Sequence, residues 1–206
     1  MNNIYLSNGN KKLKPSEDTN FLIFNLPAIK SCPFATEHCR KYCYARKAEK
    51  VYPDVLPARE RNFKASQEKS FVDDMITLIM AKREKQHKKT LVVRIHESGD
   101  FYNKEYANKW LEIARRCKGV TFMAYTKSFK YFDGVKLPRN FVLRASIWDD
   151  TTKEQKEIVT RNNWAIYTAV QQFTENDSFT RCRCSDCATC GKCWKKSEKD
   201  IRCEIH

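Results

Sequence analysis

Five apolar runs of seven or eight residues punctuate the chain: FLIFNLPA (21–28), TLVVRIH (90–96), GVTFMAYT (119–126), FVLRASIW (141–148) and WAIYTAV (164–170). Each is rich in β-branched and aromatic residues and nearly continuous in hydrophobicity, as strands buried on both faces of a parallel sheet must be. The intervening stretches 35–50 and 57–86 read as helices. Within the second, FVDDMITLIMAKREK sets Phe71, Met75, Leu78 and Ile79 on one face. NKEYANKWLEIARRC repeats that pattern through Tyr106, Trp110, Leu111 and Ala114, and DDTTKEQKEIVTRNN opens on Asp and Thr capping candidates. Strands alternating with helices imply right-handed crossovers and helices outside the sheet. Five or six strands are too few to close an eight-stranded barrel. The expected fold is therefore α/β, an open partial (β/α) barrel of five to six mostly parallel strands. Residues 1–178 are expected to form it, with a cysteine-rich tail over 179–206 packed on the same body and a boundary near 173–180.

In such folds function gathers where strands end, at the carboxyl edge. The loop after the first run carries Cys32, Cys39 and Cys43; the second run leads into His96-Glu97-Ser98-Gly99-Asp100. Tyr125, Thr126 and Lys127 follow the third, Ser146 closes the fourth, and Gln171 and Gln172 follow the fifth. Asp100 has a second reading as the cap of the next helix. Lys127 and Arg144 read either as neutralisers of an anionic substrate or as solvent-facing side chains.

Nine of the ten cysteines fall within 32–43 or 182–203, and Cys117 stands alone on a helical pattern as a core residue. The polar start lacks the apolar core of a signal peptide, and runs such as MITLIMA are too short to span a bilayer. A cytoplasmic protein with no membrane partner is expected, and there clustered cysteines read as metal ligands or redox groups rather than disulfides. C-x6-C-x3-C supplies three thiolates, one short of a closed structural zinc site unless His38 completes it. Three thiolates also suffice for a [4Fe–4S] cluster with one iron left open. In the tail, Cys184, Cys187, Cys190 and Cys193 follow one another at two-residue gaps, with Cys182 before them and Cys203 after. That rhythm is the ferredoxin one, while zinc ribbons separate their two knuckles by a dozen or more residues. Cys187, Cys190 and Cys193 are the firmest ligands and Cys182 or Cys184 the fourth, with zinc the alternative metal.

A net charge of +14, from 39 Lys and Arg against 25 Asp and Glu, favours a polyanionic partner, nucleic acid before a membrane surface. Two functions follow. One is an iron–sulfur enzyme, a transferase or lyase drawing on an electron donor the sequence does not identify. The other is a basic nucleic-acid-binding protein stapled by structural iron–sulfur or zinc sites.

CPFATEHCRKYCYA, RIHESGDF and CATCGKCW together resemble the radical SAM enzymes, and most closely a phage- and plasmid-borne branch with wider cysteine spacing, the gene product 88 family. The matching pieces frame residues 21–194. The resemblance implies that Cys32, Cys39 and Cys43 bind a [4Fe–4S] cluster. It also implies that Ser98-Gly99-Asp100 stands where those enzymes hold the amino group of S-adenosylmethionine, and that the tail carries an auxiliary cluster. The chain departs from the main family in its cysteine spacing, in a glycine turn reduced to one glycine, and in having only five glycines.

Overall fold

A computed structural model describes residues 4–170, 179–182, 186–195 and 200–204. The five apolar runs become β1 (Thr19–Phe24), β2 (Thr90–Ile95), β3 (Val120–Thr126), β4 (Phe141–Ile147) and β5 (Ile166–Val170). β1 ends four residues early because Leu26 N–H is taken by Ser98 C=O across the edge and Pro27 has no N–H to give a ladder. Two further strands, β6 (Thr180–Cys182) and β7 (Ile201–Glu204), come from the tail. Among the described residues the sheet thus has seven strands, all parallel, in the order β1-β2-β3-β4-β5-β7-β6. It is an open, curled half-barrel. The expected count of five to six is corrected to seven: TRC and IRCE are too short and too rich in cysteine and charge to show any strand period. The expected boundary lies largely in 171–178, outside the described residues, as do Gln171, Gln172 and Cys184.

Helices α1 (Glu37–Lys41) and α2 (Tyr44–Val51) divide the stretch read as one helix, and α3 (Val55–Gln67) and α4 (Phe71–Lys85) divide the next. The first break falls at Cys43, extended at φ −70° and ψ 97°, and the second at Glu68, at ψ 152°. α5 (Lys104–Arg116), α6 (Lys153–Arg161) and a short α7 (Cys187–Cys190) complete the order. Thr152 and Gln155 form a reciprocal capping box on α6.

Strand alternation sorts the core into two sides. Leu22, Phe24, Val93, Ile95, Phe122 and Leu143 face Met75, Ile79, Trp110 and Leu111 of α4 and α5. Trp110 is the hub, 5.3 Å from the Phe24 ring, 5.8 Å from Phe71 and 6.4 Å from Phe122. Leu78 is 39% exposed, not on the buried face, because α4 turns only a Phe71-Met75-Ile79 stripe inward. Cys117 is fully buried, as a small hydrophobe. On the other side of the sheet Phe21, Ile23, Val92, Met123 and Val142 pack on Leu13, Ala188 and Trp194, so the inner face is covered by the tail together with the segment before β1. No helix among the described residues is long and apolar enough to cross a membrane.

Candidate functional site

Parallel pairing in register, with Phe24 beside Ile95, Ile95 beside Ala124 and Thr126 beside Ala145, brings the loops after β1 to β4 to one edge. The loop after β1 is stitched there. Leu26 N–H donates to Ser98 C=O at 2.9 Å, and Asp100 N–H to Ser31 C=O at 3.3 Å. Cys32 follows a tight turn, Cys39 lies on α1, and Cys43 precedes α2. Thr36 caps α1 by accepting from Cys39 N–H at 3.3 Å. All three thiols are free and half-buried. Burial, the nearby Asp100 carboxylate, Cys39 and Cys43 push the Cys32 thiol up to about 12. Burial raises Cys39 too, opposed by the Lys127 ammonium. Lys127 is 6% exposed, and its Nζ donates to the carbonyl and hydroxyl of Ser146, each at 2.9 Å. Burial lowers it to about 8, against the pull of Cys39, Asp100, Asp150 and Cys32. The edge thus joins three thiols and one ammonium with the carboxylates of Asp100 and Asp150. Among the described residues no three His, Cys, Asp or Glu side chains converge on a single metal ion. The His38 ring turns to Asp149, 3.8 Å away.

Ser98-Gly99-Asp100 forms a clasp between strand ends. The Asp100 carboxylate accepts from Thr126 Oγ1 at 2.6 Å, Lys127 N–H at 2.8 Å and Phe101 N–H at 2.7 Å. Ser98 Oγ donates to Leu26 C=O at 2.9 Å, and its N–H to Asn25 Oδ1 at 3.0 Å. At Gly99 φ is +89°, and an added Cβ would lie 2.6 Å from both Leu26 Cβ and Ser31 Oγ. Gly99→Ala is expected to lower stability by about 3 kcal/mol, read from the urea midpoint, since strain and overlap act together. The cap of α5 is Asn103, whose Oδ1 accepts from Tyr106 N–H at 2.8 Å, so Asp100 is not that cap. Asp100 lies too far before α5 and its oxygens are already taken.

His96, the first residue after β2, is 3% exposed at φ 65°, its Nε2 2.8 Å from Tyr106 Oη and its ring 4.8 Å from Phe101. Burial lowers it from 6.5 to about 3. The unfolded chain therefore binds this proton first. The stability that neutral His96 contributes is complete above pH 6.5 and falls below it by about 1.4 kcal/mol per pH unit. In urea titrations from pH 7 to 5, His96→Asn, which tolerates the left-handed backbone, is expected to flatten that slope.

The tail makes a second thiol group on the inner face. Asp186 caps α7, Gly191 ends it at φ 64°, and Trp194 Nε1 donates to Cys187 C=O at 3.1 Å. Burial raises Cys187 to about 11, with Cys193 and Cys190 adding to it. Cys182 pairs in register with the buried Cys203 on β7. Arg144, 1% exposed, points into the half-barrel and donates from Nε to Cys193 C=O at 3.2 Å and from its terminal nitrogen to Lys192 C=O at 2.7 Å. It is a clamp on the tail rather than an edge cation. Sequence reasoning missed this role, and also Tyr42 and Trp148, whose rings lie parallel at 6.1 Å beside the first thiol group.

The pattern of the family described as Gene product 88 matches residues 4–196. The Gene 88 protein of Mycobacterium phage D29 is 35% identical over 102 residues, 47% of this chain and 42% of that protein. The Gene 88 protein of Mycobacterium phage L5 is 34% identical over 102 residues, 47% of this chain and 43% of that protein. The aligned region thus spans about two fifths of these curated relatives. No solved structure matches. With the family pattern running through both thiol groups and all five long strands, the chain belongs to the gene product 88 family.

Proposed function

We propose that the chain is an iron–sulfur enzyme in which Cys32, Cys39 and Cys43 hold a [4Fe–4S] cluster at the carboxyl edge and leave one iron for a substrate. The observation that supports this reading is that three free thiols from one loop lie within electrostatic range of each other, with Asp100 and Lys127 in range of Cys32 and Cys39. The donor set fits the group. Burial raises Cys32 and Cys39, so these two thiols keep their protons unless a strong cation takes their place, and iron does so on ligation. When bound, such a cluster supplies electrons or Lewis acidity at its open corner.

The chain does the rest. Asp100 is committed to Thr126, Phe101 and Lys127, so it holds the edge in shape and does not claim the fourth corner. Lys127, lowered to about 8 and fixed on Ser146, holds or yields a proton near neutral pH and neutralises an anionic group brought to the thiols. Ser98-Gly99-Asp100 does not fit the role of holding the amino group of S-adenosylmethionine. Its polar atoms are taken within the protein and its glycine is packed, so no step is assigned to that cofactor. Cys187, Cys190 and Cys193, with Cys182 or Cys184, are the ligands of an auxiliary cluster.

An open iron is testable by paramagnetic resonance of the reduced, anaerobically purified protein. Added cyanide, a small ligand for unclaimed iron, is expected to shift the signal, and a signal indifferent to cyanide while the cluster is intact would contradict the reading.

A further inference from the structure

Between the loop after β1, helices α1 and α2 and the start of α3 lies a cavity of about 430 Å³ with Ala28, Ile29 and Leu56 as its apolar part. Arg40, Arg46 and Lys50 line it, and its one carboxylate, Glu49, is already held by the buried Arg59 at 2.8 Å and by Ala28 N–H at 2.8 Å. Among the described residues no carboxylate stands within ion-pair distance of those three cations. The cavity is therefore built positive. Ile29, at its wall, sits at φ 65°, a backbone that β-branched residues avoid, and Lys30 N–H closes the turn on Ala28 C=O at 2.7 Å.

Ring faces come from this segment and from the residue after β4. Tyr42 and Trp148 are half-exposed and parallel, with Lys41 Nζ 5.4 Å from the Tyr42 ring and Lys127 Nζ 5.6 Å from the Trp148 ring. Tyr44 and Tyr52, at the two ends of α2, are 57% and 60% exposed. Phosphates explain the cations, and unstacked bases explain the rings. An acidic peptide uses only the first, and a duplex hides the bases that would use the second.

We propose that α1, α2 and the cavity behind them bind single-stranded nucleic acid, with phosphates on Arg40, Arg46 and Lys50 and a base on Tyr42 and Trp148. This names the substrate class of the proposed iron–sulfur site and rests on that reading for the chemistry, though not for the binding.

The test is fluorescence anisotropy with the full, anaerobically prepared chain and a labelled oligothymidylate of about 20 nucleotides, between about 50 and 200 mM salt. Arg40→Gln/Arg46→Gln/Lys50→Gln is expected to weaken binding about tenfold or more and to flatten the logarithmic salt slope by about 2. Tyr42→Ala is expected to weaken it about tenfold at nearly unchanged slope. Circular dichroism establishes that each variant is folded. Unchanged affinity in the folded triple variant overturns the proposal. So does equal affinity for duplex with no effect of Tyr42→Ala, or capture by phosphatidylserine vesicles with oligothymidylate left free. Anaerobically prepared protein that holds no iron yet binds the oligonucleotide removes the cluster reading alone, and iron-loaded protein that ignores the oligonucleotide removes this inference alone.

Discussion

Arg144→Met is expected to lower the stability of the chain by about 3 to 5 kcal/mol and to speed tryptic cleavage at Lys192 and Lys195. The guanidinium is 1% exposed on the inner face of β4, where it donates to two carbonyls of the segment that follows α7. A hydrogen bond from a charged donor contributes about 1.5 to 3 kcal/mol, and its loss leaves a buried acceptor dry. Methionine fills much of the volume but donates nothing. The tail segment also relies on Cys187 N–H to Lys12 C=O at 2.9 Å and on the edge-to-face contact of Trp194 with Phe21 at 6.4 Å. It should therefore loosen rather than leave, with proteolysis accelerating more than the urea midpoint falls. Arg144→Lys, which keeps the charge and one donor direction, should recover part of the loss. An unaltered cleavage rate would mean that the tail is held by its apolar contacts alone.

Trp110→Ala carries the second large effect, about 3 to 5 kcal/mol. Its indole is fully buried and touches Phe24, Phe71, Tyr106 and Phe122, so truncation opens a void between α5 and the first three strands that no neighbour can fill. Leu78→Ala on the neighbouring helix should cost less than about 1 kcal/mol, since Leu78 is 39% exposed. Urea unfolding of the two variants side by side checks the assignment of inner and outer faces. Similar losses would mean that α4 presents a different face to the sheet.

The long strands were readable because burial on both faces leaves no polar residue to interrupt an apolar run, and FLIF, LVV and FVL are such runs. The α5 stripe was readable for a different reason, the helical spacing of Tyr106, Trp110, Leu111 and Ala114 among polar residues. β6 and β7 were not, because a four-residue strand docked on β5 and a three-residue strand docked on that one draw their pairing from tertiary position rather than from their own composition. The three loop thiols were legible as a group from spacing alone. The surroundings that give them a chemical setting were not. Lys127 and Asp100 reach the thiols only because β2 and β3 end at the same level as β1, which is a property of register. The burial of His96 was not legible either, because a positive φ breaks the strand alternation at that residue and swings its ring among Phe24, Phe101 and Tyr106.

Iron and acid-labile sulfide per chain, measured on anaerobically purified protein and on the Cys32→Ala/Cys39→Ala/Cys43→Ala variant, test the central claim most directly. With both thiol groups loaded, about eight irons are expected, a brown colour with them, and about four in the variant. A colourless chain holding stoichiometric zinc, or a variant that keeps all its iron, would contradict the account.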